Sequence, residues 1–383
     1  MTLLHKKLTN IPKMLGFVVE NAKPNQLVKL LCRAFSTSDD SDFYTYIDGI
    51  TNSYFIKAEL REPFINNFLI LHHEDFSVDI YANDLPIAIE SLIKDIVKKN
   101  EIVYENNIAD IRRLRFKNII IKNTDHVIFC FKYGWRFGLF FDFIYDKKSK
   151  NKLKTDKLYY DLGYYYKQLT HYYLYQVVKN AHQFSEMQND GWFPYVELFG
   201  SDYKELSKAY LNKFNYPNIL NKLLNSFKKE RIEKITSRWW KNSLYLKKQK
   251  LIQAGINAYL EDTDEGFINC IKNLYSEIEG LLGYLIFEDT KSYTNKTDEL
   301  LKHLKEKGLE KTKNKEPLIF PDFFSDFLQN YLFPKFNLVK NNIDLSKHTS
   351  GHGVAEAESY TKERALQAIL ILDQIFFYLP LKK

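Results

Sequence analysis

Short runs of aromatic and β-branched residues, separated by Asn, Asp and Gly, fill the segment 64–146. Such runs are typical of β-strands bounded by turns. The clearest predicted strands are FINNFLILHH, FKNIIIK, HVIFCFKY and RFGLFFDFIYD, which begin at Phe64, Phe116, His126 and Arg136. We therefore predict an α+β N-terminal domain over residues 1–146.

From Leu158 onward, apolar positions recur with a helical period. We predict a tyrosine-rich helical region over 158–230, interrupted at Gly191–Tyr195 by a turn, because Pro194 lacks an amide hydrogen. A further helical domain over 241–383 has two helices with apolar stripes at spacings of three and four. The stripes are Phe267, Ile271, Leu274, Ile278, Leu281 and Leu285, and then Ala365, Ile369, Leu372, Phe376 and Leu379. The fold class predicted is an α+β N-terminal region with a predominantly α-helical remainder.

The last predicted helix carries a second apolar flank beside its stripe, formed by Leu366, Leu370 and Phe377. A helix that is apolar on two flanks is expected to bury both of them. We predict that one flank faces its own bundle and that the other faces a second copy of the chain, as in isologous dimers.

Composition narrows the classes of protein without selecting one. The 383 residues are 45% apolar and 27% charged, which excludes a wholly disordered chain. Cys32, Cys130 and Cys270 lie far apart without CxxC spacing, so we expect no disulfide framework and a cytoplasmic location. No run approaches the about 18 apolar residues of a membrane span. The net charge of +7 permits an anionic partner without requiring one.

The sequence SKHTSGHG, residues 346–353, places the cation Lys347 and the imidazoles His348 and His352 on one predicted turn before the last helix. An imidazole can exchange a proton with a ribose hydroxyl near neutral pH, and a cation can stabilise phosphorane oxygens. The alternative is that these residues only cap and pack a surface turn. No metal is predicted, because Gly351 and Gly353 disfavour a helix that would align the two histidines and no third ligand is adjacent.

The stretch SKHTSGHGVAEAESYTKERALQAILILDQIFFYL resembles the closing motif and last helix of HEPN domains, the higher eukaryotes and prokaryotes nucleotide-binding superfamily. The upstream CIKNLYSEIEGLLGYL resembles the Glu-Gly-Leu-Leu helix of many bacterial members. The resemblance covers 241–383 and implies a helical bundle that usually dimerises. Many such domains are metal-independent endoribonucleases whose signature is an Arg, a polar residue and a His.

Carried over residue by residue, Lys347 takes the position of the Arg, His348 that of the polar residue and His352 that of the catalytic His. Lysine keeps the charge but lacks the planar fork of arginine. Glu279 in the Glu-Gly helix is a secondary candidate for positioning a basic residue, and the alternative is a solvent-facing or capping glutamate. Ser346 is a further secondary candidate. The resemblance implies an active site formed by residues of two protomers. It also implies a cleavage reaction that leaves a 2′,3′-cyclic phosphate and a 5′-hydroxyl on the RNA.

The leading hypothesis is therefore a metal-independent, cofactor-free HEPN endoribonuclease acting as a homodimer. The resemblance implies an antiphage defence (abortive infection) or toxin-like effector, whose N-terminal region senses a trigger or restrains the nuclease. The expected partners are RNA, a second copy and an antitoxin or trigger protein. One alternative is a catalytically silent HEPN protein that binds RNA, nucleotide or a protein partner. Another is a mainly structural dimerisation module.

Two lysine-rich stretches are candidates for guiding RNA. The first is 147–157, and the second is 228–250, where Arg238, Trp239 and Lys241 are candidate RNA-binding residues. The alternative for both stretches is a solvated face.

Three further motifs have competing interpretations. His72 and His73 are expected at an exposed strand end. The aromatic turns Gly134–Gly138 and Gly191–Glu197 either build a ligand pocket or anchor the core through their tryptophans, with Arg136 in an ion pair.

Overall fold

The computed structural model of the protein describes residues 2–60, 66–144, 152–314, 316–334 and 344–380. The fold divides into two compact units. Unit 1 consists of Met1–Ser91 and Ile111–Tyr172, and unit 2 consists of Leu92–Asp110 and Tyr173–Lys383. The predicted class, an N-terminal β-sheet region followed by a mostly helical remainder, is confirmed.

The strands are largely antiparallel and belong to one larger sheet and two small ones. A six-stranded sheet has the order β1-β6-β5-β9-β10-β4, and the pairs β2-β3 and β7-β8 form separate two-stranded sheets. In chain order the strands are β1 (Leu4–Leu8), β2 (Phe17–Val18), β3 (Leu30–Leu31), β4 (Arg33–Thr37), β5 (Phe68–His72), β6 (Val78–Ala82), β7 (Ile87–Ile93), β8 (Ile108–Phe116), β9 (His126–Tyr133) and β10 (Arg136–Asp142).

The strands β5, β9 and β10 of the six-stranded sheet in unit 1 are buried on both faces. Along β5, Phe68 and Ile70 pack on the face covered by helix α1 (Phe43–Ile50). The alternate residues Leu69 and Leu71 pack on the opposite face with helix α2 (Thr155–Thr170). Because side chains alternate between faces, burial on both sides requires the continuous apolar runs seen in the sequence.

Three of the four predicted strands contain a strand of the structure. FINNFLILHH, HVIFCFKY and RFGLFFDFIYD contain β5, β9 and β10. The strand predicted for FKNIIIK is wrong, because β8 ends at Phe116 and the rest of the motif forms no strand. Ile119 and Ile121 are buried there while Ile120 is exposed, so the alternation reflects packing of an irregular segment.

Unit 2 is built from helices around one apolar core. These are α3 (Tyr172–Lys179), α4 (Ala181–Asn189), α5 (Ser201–Leu211), α6 (Tyr216–Ser226), α7 (Lys229–Trp239), α8 (Ser243–Leu260), α9 (Asp264–Thr290), α10 (Thr297–Thr312), α11 (Pro321–Phe327), α12 (Lys347–Gly351) and α13 (Lys362–Tyr378). A π-helical segment, Leu328–Leu332, continues α11.

The units differ from the predicted domains. Residues 158–230 are divided, because α2 belongs to unit 1 whereas α4 to α6 share the core of unit 2. No boundary falls near 228–250, since α7 and α8 contribute to the same core as α9 and α13.

Helix α13 lies at the centre of unit 2. Every residue from Ala365 to Leu379 is buried within a single chain. Both predicted apolar flanks are therefore covered by the helices of unit 2, and the expectation that one flank faces a second copy was wrong.

The buried polar groups of α13 are matched by partners from other elements. Gln367 Nε2 donates to the Asp190 carbonyl at 2.8 Å. Gln374 Nε2 donates to the Ile319 carbonyl at 2.9 Å, and its Oε1 accepts from the Val196 amide at 2.9 Å. These bonds offset the cost of burying amide groups and fix α13 in a single register.

Candidate functional site

The SKHTSGHG motif forms a short helix rather than a turn. Ser346 is its N-cap, with Oγ accepting a hydrogen bond from the Thr349 amide at 3.1 Å. Thr349 Oγ1 accepts in return from the Ser346 amide at 2.8 Å, which completes a capping box. The expectation that Gly351 and Gly353 disfavour a helix here was wrong for Gly351, which is the last helical residue, whereas Gly353, at φ +70°, lies beyond the end of the helix.

Lys347, on the first turn of α12, contacts the helix that carries the Glu-Gly-Leu-Leu motif. Its Nζ lies 2.6 Å from Glu279 Oε2 on α9, and both side chains are partly exposed. This ion pair brings together the two segments that carry the family resemblance, so the candidate cation is also oriented by a carboxylate.

The two histidines of the motif lie at opposite ends of α12. His348 is half-buried, with its ring 6.5 Å from that of Phe333. Burial lowers the pKa of His348, and the nearby Lys347 charge lowers it further, while Glu279 acts in the opposite direction. His352 is exposed at the C-cap, and its amide donates to the His348 carbonyl at 2.9 Å.

This cluster offers an ammonium held by a carboxylate, an imidazole biased toward its neutral form and a second, exposed imidazole. A neutral imidazole can accept a proton and an ammonium can stabilise an anion. Ser346 has a structural role, because its side chain is buried and caps α12.

Two of the candidate RNA-binding residues are buried in unit 2. Arg238 donates to both oxygens of Asp373, from Nε at 2.9 Å and from Nη2 at 2.6 Å. Trp239 Nε1 donates to the same carboxylate at 2.8 Å. These contacts are internal, so neither side chain is presented to a nucleic acid in this fold, and this part of the prediction was wrong. Lys241 is exposed.

The histidines at the end of β5 are buried, which corrects the prediction of an exposed strand end. His72 is 1% exposed; its Nε2 donates to the Ile11 carbonyl at 2.9 Å and its Nδ1 accepts from Tyr54 at 3.2 Å. His73 Nδ1 and Nε2 lie 2.8 Å from carboxylate oxygens of Asp125 and Asp79, respectively. The hydrogen bond to Asp125 raises the pKa of His73, because both ring nitrogens can donate to the two carboxylates only when the ring is protonated.

The two aromatic turns differ from each other. Trp135 is 75% exposed, so it does not anchor the core, whereas Arg136 forms the expected ion pair, with Nε 3.3 Å from Asp39 Oδ2. Trp192 in the second turn is buried and anchors the core of unit 2. Its Nε1 donates to Glu363 Oε1 at 2.7 Å.

The first part of the lysine-rich stretch, 147–151, lies outside the described residues, and the last three residues of the stretch begin α2. Among the residues that the structure describes, no three His, Cys, Asp or Glu side chains are grouped so that they could hold a metal ion.

Comparison with known proteins gives no relative: no protein-family model, no curated protein and no solved structure matches the chain. None of the described helices has the length and apolar content needed to cross a membrane.

Proposed function

We propose that the protein is a metal-independent endoribonuclease of HEPN type, with its active site at α12. The observation that carries the proposal is the contact between Lys347 and Glu279, 2.6 Å apart, which joins the closing motif to the Glu-Gly-Leu-Leu helix. Two remote segments with the same family resemblance meet at one surface and supply the groups that RNA cleavage needs.

In the proposed reaction, the ribose 2′-oxygen attacks the adjacent phosphorus and the bond from phosphorus to the 5′-oxygen breaks. His348, neutral because its pKa is lowered, takes the proton of the 2′-hydroxyl. His352, exposed to the strand, gives a proton to the leaving 5′-oxygen. Lys347 stabilises the negative charge of the phosphorane. The products are a 2′,3′-cyclic phosphate and a 5′-hydroxyl.

The test is cleavage of tRNA and total RNA in EDTA by the wild type, His352→Ala and His182→Ala. His182 is a matched control, because it is an exposed histidine of the same unit on α4. We expect the wild type and His182→Ala to cut RNA and His352→Ala to be inactive. Cleavage that survives His352→Ala would place the active site elsewhere.

A second candidate function is a catalytically silent HEPN protein that binds RNA, nucleotide or a protein partner. The same ion pair favours it, because a lysine neutralised by Glu279 stabilises a phosphorane less than a free cation does. Lys347→Arg separates the two functions. Restoring the bidentate guanidinium should raise cleavage of a weakened nuclease and leave a silent protein without activity.

The biological role that goes with the proposed nuclease is antiphage defence or a toxin-like effector in the cytoplasm. In that role the N-terminal unit restrains the nuclease or senses a trigger, and an antitoxin or trigger protein is its partner. This part rests on the resemblance to HEPN proteins.

A further inference from the structure

A cavity of about 350 Å³ opens in unit 2 at the C-terminal end of α4. Its walls come from the last turn of α4, the end of α5, the short 3₁₀ helix Lys213–Asn215 and the first turn of α6. Ligand pockets in proteins span about 300–1,000 Å³, so this cavity has room for one small molecule. It is distinct from the candidate site, because its lining residues lie on elements other than α12.

Two carboxylates one helical turn apart line this cavity. Glu186 lies in the last turn of α4 and Asp190 is the C-cap of the same helix, four residues further on. Like charges at this spacing repel each other, and a cation between them would relieve the repulsion. The C-terminal end of a helix is also its negative pole, which favours a cation at the same place.

The two carboxylates differ in their partners. Glu186 is paired with the exposed Lys213, whose Nζ lies 3.0 Å from Oε1. Asp190 forms no ion pair within the described part of the chain, and its Oδ2 accepts a hydrogen bond from the Tyr210 hydroxyl at 2.7 Å. Because Asp190 is exposed, its second oxygen, Oδ1, is open to a donor from a ligand.

The aromatic part of the wall suits the same charge. Tyr210 on α5 and Tyr216 at the start of α6 line the cavity, with ring centres 5.0 Å apart in an edge-to-face arrangement. Aromatic faces attract ammonium groups, and Tyr216 is partly exposed. The two rings and Pro217 also supply apolar surface for a hydrocarbon chain.

We propose that this cavity binds a small aliphatic amine, with its ammonium group on Asp190 and its hydrocarbon chain against Tyr210 and Tyr216. Such an amine is a cation at neutral pH, as the side chain of lysine is. Lys213 opposes its binding, because it carries the same charge and holds the neighbouring carboxylate. The proposal goes beyond the nuclease function and does not depend on it.

The experiment measures equilibrium binding to the full chain by calorimetry at low salt and neutral pH. The ligands are n-butylamine and n-butanol, which has the same hydrocarbon chain without the charge. The variants are Asp190→Asn, Tyr216→Leu and Lys213→Gln. The matched control is Glu205→Gln, which removes an exposed carboxylate that is on α5 and pairs with Lys222 outside the cavity.

We expect the wild type to bind n-butylamine in preference to n-butanol. Asp190→Asn should weaken binding of the amine by about tenfold, because a hydrogen bond to a charged group is lost. Tyr216→Leu should weaken it by about threefold, and Lys213→Gln should strengthen it by about twofold. Glu205→Gln should bind as the wild type does.

Three results would overturn the proposal: no binding of n-butylamine to the wild type, equal binding of the amine by every variant, or binding of n-butanol as tight as that of the amine. If Asp190→Asn does not fold by circular dichroism, the opposite effects of Tyr216→Leu and Lys213→Gln decide. Neither ligand is a substrate of a nuclease, so failure here leaves the RNA cleavage assay unaffected, and failure of that assay leaves this result unaffected.

Discussion

Lys347 and Glu279 form an ion pair with Nζ 2.6 Å from Oε2, and His348 lies close enough to sense both charges. Burial lowers the pKa of His348, the Lys347 charge lowers it further and the Glu279 charge raises it, so the base proposed for catalysis is subject to two opposing charges. The pKa of His348 therefore reports the charges of both Lys347 and Glu279.

Removing the charge of Lys347 and removing that of Glu279 should shift the pH dependence of cleavage in opposite directions. Lys347→Gln removes a positive charge, so the pKa of His348 should rise and the acidic limb of kcat/KM should move to higher pH. Glu279→Gln removes a negative charge, so the limb should move to lower pH. The measurement is kcat/KM from about pH 4 to 8.

The matched control for these two variants is Glu277→Gln, on the same helix and paired with Lys248 at 2.9 Å. Its profile should match that of the wild type. Shifts of the same sign for Lys347→Gln and Glu279→Gln would mean that His348 is not the group titrating in the reaction.

Asp373 is predicted to be a principal stability determinant of unit 2. Asp373→Asn removes the buried carboxylate to which Arg238 and Trp239 donate, so the free energy of unfolding should fall by about 3–5 kcal/mol. Urea denaturation followed by tryptophan fluorescence measures the change. Lys222→Gln is the control, because its exposed pair with Glu205 at 2.7 Å should contribute less than about 1 kcal/mol. Equal effects of the two variants would refute this role.

His72 should make unit 1 sensitive to acid. Burial lowers the pKa of His72 from 6.5 to about 4, and the neighbouring His126, Lys13 and His73 charges act in the same direction. The unfolded chain therefore binds a proton that the folded chain does not, and the melting temperature should fall as the pH decreases from 6.5 toward about 4.

The adjacent His73 should act in the opposite direction. Its hydrogen bond to Asp125 raises the pKa of His73 above 6.5, against the effect of burial and with support from Asp79. The stability it contributes is fully present below pH 6.5 and is lost as the pH rises through the raised pKa.

Calorimetric melting of His72→Gln and His73→Gln across this range distinguishes the two histidines. The first variant should lose the acidic decline and the second the decline at higher pH, while the exposed His182→Gln should change neither. An unchanged acidic decline in His72→Gln would assign it to another group.

The elements that the sequence predicted best are those with uniform burial. Strands β5, β9 and β10 are covered on both faces, so their apolar runs are continuous and easily recognised. Strands β1 and β8 were missed, because the exposed face of β1 carries His and Lys and β8 contains Arg112, Arg113 and Arg115. Charged residues within a strand hide the period of two.

Predicting the site required contacts between remote segments. The local motif gave Lys347, His348 and His352, but the contact with Glu279 depends on the packing of α12 against α9. The assignment of Arg238 to RNA failed because its partner, Asp373, is far away in sequence. A buried carboxylate needs a cationic partner. Asp373, in the largely apolar helix α13, was therefore the feature of the sequence that indicated a buried cation.

The most direct test of the central claim, that α12 catalyses attack by the ribose 2′-hydroxyl, uses a short RNA that contains a cleavage site identified in the tRNA and total-RNA assay proposed above. One version is all-ribose, and the other carries a single 2′-deoxynucleotide on the 5′ side of the scissile phosphate. In EDTA, the wild type should cut only the all-ribose strand and leave a 2′,3′-cyclic phosphate, detected by mass spectrometry, and His352→Ala should cut neither. Cleavage of the deoxy-substituted strand at the same bond, or a 5′-phosphate on the product, would contradict the account.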